Sequence, residues 1–255
     1  MRRGLHPALL LCVALACKGS DATSAPIDAE HQHSLERLES PERNAWAKPD
    51  EVVAALPLDR ADMDVADIGA GSGYFTRRIA KRVPQGKVFA VDVDGTYKRY
   101  IRENREAWGC PNIETRLALY ENPLLPEASL DLVFLSNTYR YIQERVQYFS
   151  GVHSSLRPGG HLAIVSFTPD VDCSAIGDDC PPMDQRVAIA DVESELREAG
   201  FVLQTKHDFL PYQYLLIFVR AVDQGQDGVR AEDEHSDPEQ PQDQEAADDS
   251  ESGSK

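Results

Sequence analysis

Val65-Ala66-Asp67-Ile68-Gly69-Ala70-Gly71-Ser72-Gly73-Tyr74-Phe75 is a short apolar run that breaks into glycines at alternate positions and then resumes with helical spacing. Three glycines so placed let a backbone leave a strand, approach a ligand without Cβ interference and enter a helix whose first N–H groups are unpaired. A dinucleotide-binding turn puts its third glycine three places after the second, and Tyr74 stands there. The spacing therefore argues against a nicotinamide cofactor.

Beyond the turn, Phe75, Ile79 and Val83 recur at helical spacing, with Arg77, Arg78, Lys81 and Arg82 on the other face. That helix leads by a right-handed crossover into a second strand, Lys87 to Val91, which ends in Asp92. With Asp67 two residues before the first glycine and Asp92 23 residues after it, this region resembles motif I and the acidic strand end of the class I S-adenosylmethionine-dependent methyltransferases. The resemblance extends over most of the chain. It implies an α/β fold, a doubly wound, seven-stranded and mostly parallel sheet with an antiparallel C-terminal hairpin. It also implies S-adenosyl-L-methionine as cofactor, cradled by Asp67, Gly69, Ala70, Gly71, Ser72, Gly73 and Tyr74. Asp92 and Val93 fall where the family holds the ribose, and Glu121 and Asn122 where it places a polar residue against adenine.

The remaining elements fit that order. Tyr97, Tyr100, Ile101 and Trp108 suggest an amphipathic helix closed by Gly109, and Asn112 to Leu117 a third strand. Leu130 to Leu135 is apolar almost throughout, as in a strand buried on both faces. Its continuation, Ser136-Asn137-Thr138-Tyr139-Arg140-Tyr141, lies at the carboxyl edge where open α/β sheets bind ligands, which adds Asn137 to the cofactor set. Ile142, Val146, Phe149 and Leu156 give a helix face, after which Pro158-Gly159-Gly160 turns into a strand from His161 to Phe167. Ile189, Val192 and Leu196 mark a helix stopped by Gly200, and Phe201 to Phe209 with Tyr212 to Val219 form the final hairpin.

Ahead of the first strand, Ser40 and Pro41 are placed to cap and open a helix that carries Trp46, and Pro49-Asp50 opens another with Val52, Val53 and Leu56 on one face. Ser40-Pro41-Glu42-Arg43-Asn44-Ala45-Trp46 resembles the lead segment of a bacterial subgroup of these methyltransferases, in which such helices cover the cofactor and acceptor. That subgroup often carries two histidines where this chain reads Arg140-Tyr141. Trp46, Tyr139, Tyr141 and Tyr212 are the candidate acceptor-contacting residues, and no side chain is assigned as a catalytic base.

The formal charge of −17 is concentrated at one end: residues 221–255 hold twelve acids against Arg230 and Lys255. Residues 1–33 balance, leaving −7 for the middle, with no basic stripe of the kind that tracks a phosphate backbone. Nucleic acid is thereby disfavoured, and a small-molecule or lipid acceptor is expected. Residues 222–255 carry almost no apolar side chain and read as a disordered acidic tail.

Arg2 and Arg3 followed by an apolar run from Pro7 to Ala16 read as a signal peptide spanning residues 1–16, too short to cross a bilayer as a helix. Val13-Ala14-Leu15-Ala16-Cys17 resembles a bacterial lipobox, although Ala14 stands where leucine is commoner. That implies acylation of Cys17, a flexible linker over 17–33, a domain over 34–221, and a membrane-tethered, exported protein, with the outer membrane, facing the periplasm, as destination. A plain secretory signal is the alternative. Cys173 and Cys180 lie too far apart for a metal pair and have no partnering histidines, so no metal is expected. A local disulfide and two free thiols both remain open. A non-catalytic binding module that keeps the same fold is the alternative function.

Overall fold

In the computed structural model of the chain, residues 26–221 are described. The signal peptide, Cys17, the first part of the linker and the acidic tail lie outside the described residues. Seven strands form one sheet: β1 (Val65–Ile68), β2 (Val88–Asp92), β3 (Ile113–Leu117), β4 (Leu130–Ser136), β5 (Leu156–Phe167), β6 (Phe201–His207) and β7 (Gln213–Arg220). Their order is β3-β2-β1-β4-β5-β7-β6, and β7 alone runs against its neighbours β5 and β6. The expected doubly wound, mostly parallel sheet with a C-terminal antiparallel hairpin is what forms.

Alternation along the central strands builds two cores. In β4, Leu132 and Phe134 join one cluster while Val133 and Leu135 join the other, and all four are fully buried. Each such side chain contributes about 1.5–3 kcal/mol. Helices α2 (Arg43–Ala47), α3 (Pro49–Ala55) and α4 (Thr76–Arg82) cover the first cluster through Trp46, Val52, Val53 and Ile79. Helix α5 (Gly95–Asn104) adds Ile101 to it, while α6 (Arg145–Ser155) and α7 (Ile189–Glu198) cover the second with Phe149, Val152, Val192 and Leu196.

Four boundaries differ from the sequence reading. Residues 29–33, read as linker, are the first turns of α1 (Ala29–Leu38), which Asp28 caps by accepting from the His31 N–H at 2.9 Å. His31 then bonds Asp94 through Nε2 at 2.8 Å, a tertiary contact that periodicity over so polar a stretch does not reveal. Ser40 caps no helix: its hydroxyl donates to Glu42, and α2 starts at Arg43 after a tighter turn. Strand β5 begins at Leu156, and Pro158-Gly159-Gly160 lies in a bulge within it, with Pro158 and Gly159 exposed, because Leu130 pairs with Leu156 while Leu132 pairs with His161. Helix α5 closes at Asn104, so Trp108 sits in the turns after it.

Among the described residues no helix is long and apolar enough to cross a membrane. The thiols of Cys173 and Cys180 form a disulfide in the segment between β5 and α7, and Cys110 is free and buried.

Candidate functional site

The strand order reverses direction between β1 and β4, and a cavity of about 420 Å³ opens at the carboxyl ends of the strands there. Its floor is the glycine turn. Gly69 has φ +73°, and a Cβ on it would lie 2.1 Å from Thr138 Oγ1, so the close crossing of the segment after β4 excludes any side chain. Gly71, at φ +54°, donates its N–H to Asp92 Oδ2 at 2.8 Å, tying the turn to the end of β2. Gly73 serves the packing instead: its Cα faces Trp108 and Ile101, and it does not line the cavity.

Two carboxyl groups line the cavity beside this floor. Asp92 accepts from Gly71 and, through Oδ1, from the Asp94 N–H at 2.9 Å, and burial nonetheless holds its pKa above the usual carboxylate range. Asp67 is buried and accepts a 2.6 Å hydrogen bond from Thr76 Oγ1. Burial pushes it up to about 7, the Thr76 bond opposes the shift, and the charge of Asp92 adds to it.

Ala70, Gly71, Ser72, Tyr74, Val93 and Asn137 all line the cavity, as their positions in the sequence suggested. Ser72 is 1% exposed and its hydroxyl has no partner, as is the case for the buried Ser136 Oγ nearby. Asn137 adopts φ +58° and accepts from Gln213 Nε2 at 2.7 Å, which anchors the end of β4 to β7. Trp46 and Tyr141 also line the cavity, the first buried and the second 62% exposed at its mouth.

Besides Gly73, four sequence candidates lie away from the cavity. Glu121 and Asn122 lie outside the cavity: Glu121 is exposed, and the Asn122 side chain accepts from the Leu124 N–H at 2.7 Å to close its own turn. Leu119 and Tyr120 line that end instead. Tyr139 is fully buried away from the cavity, donates to Glu195 Oε2 at 2.5 Å and is stacked on Phe149, so burial drives its hydroxyl well above the usual phenol range. Tyr212 packs against the first core cluster, outside the cavity.

Sequence reasoning missed the roof. Arg37 and Leu38 from α1, and Asp179 from the disulfide-closed segment, cover the site, with Arg37 Nη1 on Asp179 Oδ1 at 2.9 Å. Arg43 is the more unusual member. It is 7% exposed, its guanidinium lies 4.1 Å from the Tyr74 ring centre, and Nη1 donates to the Leu38 carbonyl at 2.9 Å. No carboxylate among the described residues forms an ion pair with it, and burial lowers its pKa. The available signal was spacing: Arg43 precedes Trp46 by three residues and so shares its helix face.

An orphaned serine hydroxyl, a turn held open by glycine and a buried guanidinium without a counterion fit a ligand that is polar, extended and anionic at one end. S-adenosyl-L-methionine, with its carboxylate, ammonium and ribose hydroxyls, has that chemistry.

Comparison with known proteins points the same way. Residues 65–160 match the family described as a methyltransferase domain. A malonyl-[acyl-carrier protein] O-methyltransferase from Ilyobacter polytropus is 28% identical over 41% of this chain and 38% of its own length. A trans-aconitate 2-methyltransferase from Rhodopseudomonas palustris is 31% identical over 45% of this chain and 42% of its own. The chain thus matches less than half the length of these relatives. A crystal structure of a SAM-dependent methyltransferase from Aquifex aeolicus superposes with a TM-score of 0.68 at 22% identity, covering 77% of this chain and all of that one. Residues 65–160 thus resemble a methyltransferase domain, and the chain as a whole has the fold of that solved structure.

Proposed function

We propose that the protein is an S-adenosyl-L-methionine-dependent methyltransferase acting on a small-molecule or lipid acceptor. The observation that carries this reading is the set of polar groups gathered at one cavity: the unmatched hydroxyls of Ser72 and Ser136 and the buried guanidinium of Arg43, which forms no ion pair, beside Asp67 and Asp92. Arg43 would hold the cofactor's carboxylate and Asp67 face its ammonium, while the lone pairs Asp92 keeps free would accept from the ribose hydroxyls. When bound, the cofactor supplies a methyl group already activated by a sulfonium centre. The chain's task is then to orient the acceptor and exclude water, for which Trp46, Phe75, Tyr141, Tyr148 and Phe167 provide an apolar and aromatic wall. The curated relatives are named for O-methylation of malonyl-[acyl-carrier protein] and for methylation of trans-aconitate, which supports a small acidic acceptor class.

Calorimetric titration of the purified chain with S-adenosyl-L-methionine and with its demethylated product tests the reading. Saturable binding is expected; no heat and no thermal shift at millimolar nucleoside would sink it. Binding without transfer to any acceptor would favour the non-catalytic binding module.

We further infer that the protein is exported and acylated at Cys17. Arg2-Arg3, the apolar run to Ala16 and the following cysteine support this, as does the Cys173–Cys180 disulfide, a bond that persists in oxidising compartments. Membrane fractionation should find the wild type in the membrane and a Cys17→Ser chain released. A variant still sedimenting with membranes would refute the anchor.

A further inference from the structure

Most arginines near the cavity have found a carboxylate, as expected where the folded part of the chain carries an excess of acids: Arg37 pairs with Asp179, Arg77 with Glu39 and Arg145 with Glu195. Arg140 has not. It stands in a short 3-10 turn, Tyr139–Tyr141, at the carboxyl end of β4. Its guanidinium lies 4.5 Å from the Tyr141 ring centre, Nη2 donates to the Tyr141 hydroxyl, and Nη1 reaches Gln185 Oε1 at 3.4 Å. Its Nε–H is buried and has no partner.

Its location gives this orphan a use. Arg140 and Tyr141 line both the main cavity and a second one of about 350 Å³, whose other walls are Arg145, Asp184, Gln185 and Val187. Arg145 gives Nη1 to Glu195 at 3.0 Å, but its Nε is likewise buried and unmatched. Two guanidinium groups with spare donors thus line a space that shares Arg140 and Tyr141 with the main cavity, and Asp184 is the only acid lining it among the described residues.

We propose that Arg140 binds a carboxylate or phosphate group carried by the methyl acceptor, and so selects small anionic acceptors. The proposal rests on the methyltransferase reading. Where the resemblance leads one to expect a histidine pair, the chain places a group that is always charged and cannot accept a proton. The position is therefore suited to holding an anion, not to base catalysis. The planar fork of Arg140 would take two oxygens of that anion, and the aromatic face of Tyr141 beneath it fixes the fork's plane. Clamped at its charged end in the second cavity, an acceptor would present its other end towards the glycine turn.

The test is calorimetry on the full chain with succinate, its neutral diamide and inorganic phosphate, each with and without saturating S-adenosylhomocysteine. One of the two anions should bind and the diamide should not; which anion binds tells a carboxylate site from a phosphate site. Arg140→Gln should weaken anion binding by at least about tenfold, the effect of losing a charge-assisted hydrogen bond, while Arg140→Lys should recover part of it. Thermal unfolding of all three proteins reports that the variants fold. Anion binding that Arg140→Gln leaves unchanged, or no binding of either anion to the wild type, would overturn the proposal. Loss of nucleoside binding in the wild type would instead fall on the methyltransferase reading, since the arms without nucleoside are read independently.

Discussion

The two edges of the parallel sheet treat charge in opposite ways. At the amino edge, Arg157 donates to Asp131 at 2.6 Å and to Asp64 at 2.9 Å, Arg60 reaches Asp131 at 2.9 Å, and both carboxylates also accept backbone N–H groups of Asp64 and Lys87. At the carboxyl edge, Arg43 and Arg140 have no carboxylate, and the five unpartnered buried side-chain atoms among the described residues, on Ser72, Ser136, Arg140, Arg145 and Gln213, all gather there. An unmatched buried polar group costs about 1–3 kcal/mol, and a folded protein accumulates such groups on one edge only where something other than the chain itself satisfies them. The amino edge satisfies its charges within the chain; the carboxyl edge leaves polar groups unmatched around the cavity.

The largest effect is expected from closing the floor of the second edge. Gly69→Val places a branched side chain at φ +73° and drives it into Thr138, whose Oγ1 would lie 2.1 Å from the new Cβ. Strain and overpacking together should cost roughly 2–5 kcal/mol of stability, and nucleoside binding should be lost. Chemical denaturation and calorimetry measure the two. Adding Thr138→Ala should return part of the stability, and a Gly69→Val protein that binds nucleoside normally would show that the turn is not the floor of a site.

A matched pair of substitutions puts the contrast between edges to the test directly. Arg157→Met removes a cation that two carboxylates share, so the chain should lose on the order of 1 kcal/mol with nucleoside affinity unchanged. Arg43→Met removes a buried cation that forms no ion pair, so stability should hold or rise. Nucleoside affinity should fall by about 2 kcal/mol, the loss of a charged hydrogen bond. If Arg43→Met destabilised the chain and spared binding, Arg43 would be a packing residue and the contrast would fail.

The division also explains what was legible in the sequence. The floor is written in backbone requirements, with glycines where φ is positive and an acid where a strand ends, so the resemblance to the family's motif picks out Asp67, Gly69, Gly71, Ser72 and Asp92, which line the cavity. The sheet architecture followed from the family resemblance, and the central strand from a near-continuous apolar run, Leu130 to Leu135. The walls and roof are made of side chains brought from remote segments, and such meetings leave no local periodicity. Arg43 meets Tyr74 across 31 positions and Arg37 meets Asp179 across 142. Tyr139 shows the converse error, since a tyrosine at a strand's carboxyl end looks like a wall until Glu195, from α7, captures its hydroxyl inside the core. Glu121 and Asn122 failed for a third reason, because a polar pair before a proline also suits a turn that closes on itself.

The remaining effect expected is a pH dependence at Asp67. Its folded pKa is raised from 3.8 to about 7, so between those values the folded chain binds a proton that the unfolded chain releases. Stability from this group is therefore greatest below about pH 4 and is lost as the pH climbs towards 7. Binding runs the other way: a cofactor with a sulfonium and an ammonium favours the ionised carboxylate, so affinity should rise with pH through 7 by at most about tenfold per unit and then level off. Asp67→Asn should flatten both trends while keeping the bond from Thr76 Oγ1, because the amide oxygen still accepts it. Asp92 titrates above the usual carboxylate range as well, and it remains in that variant, so a slope that survives in Asp67→Asn would reassign the proton to Asp92. Two opposed pH trends that vanish together would identify Asp67 as a group whose burial costs the fold stability and gives the cavity its selectivity for a positively charged ligand.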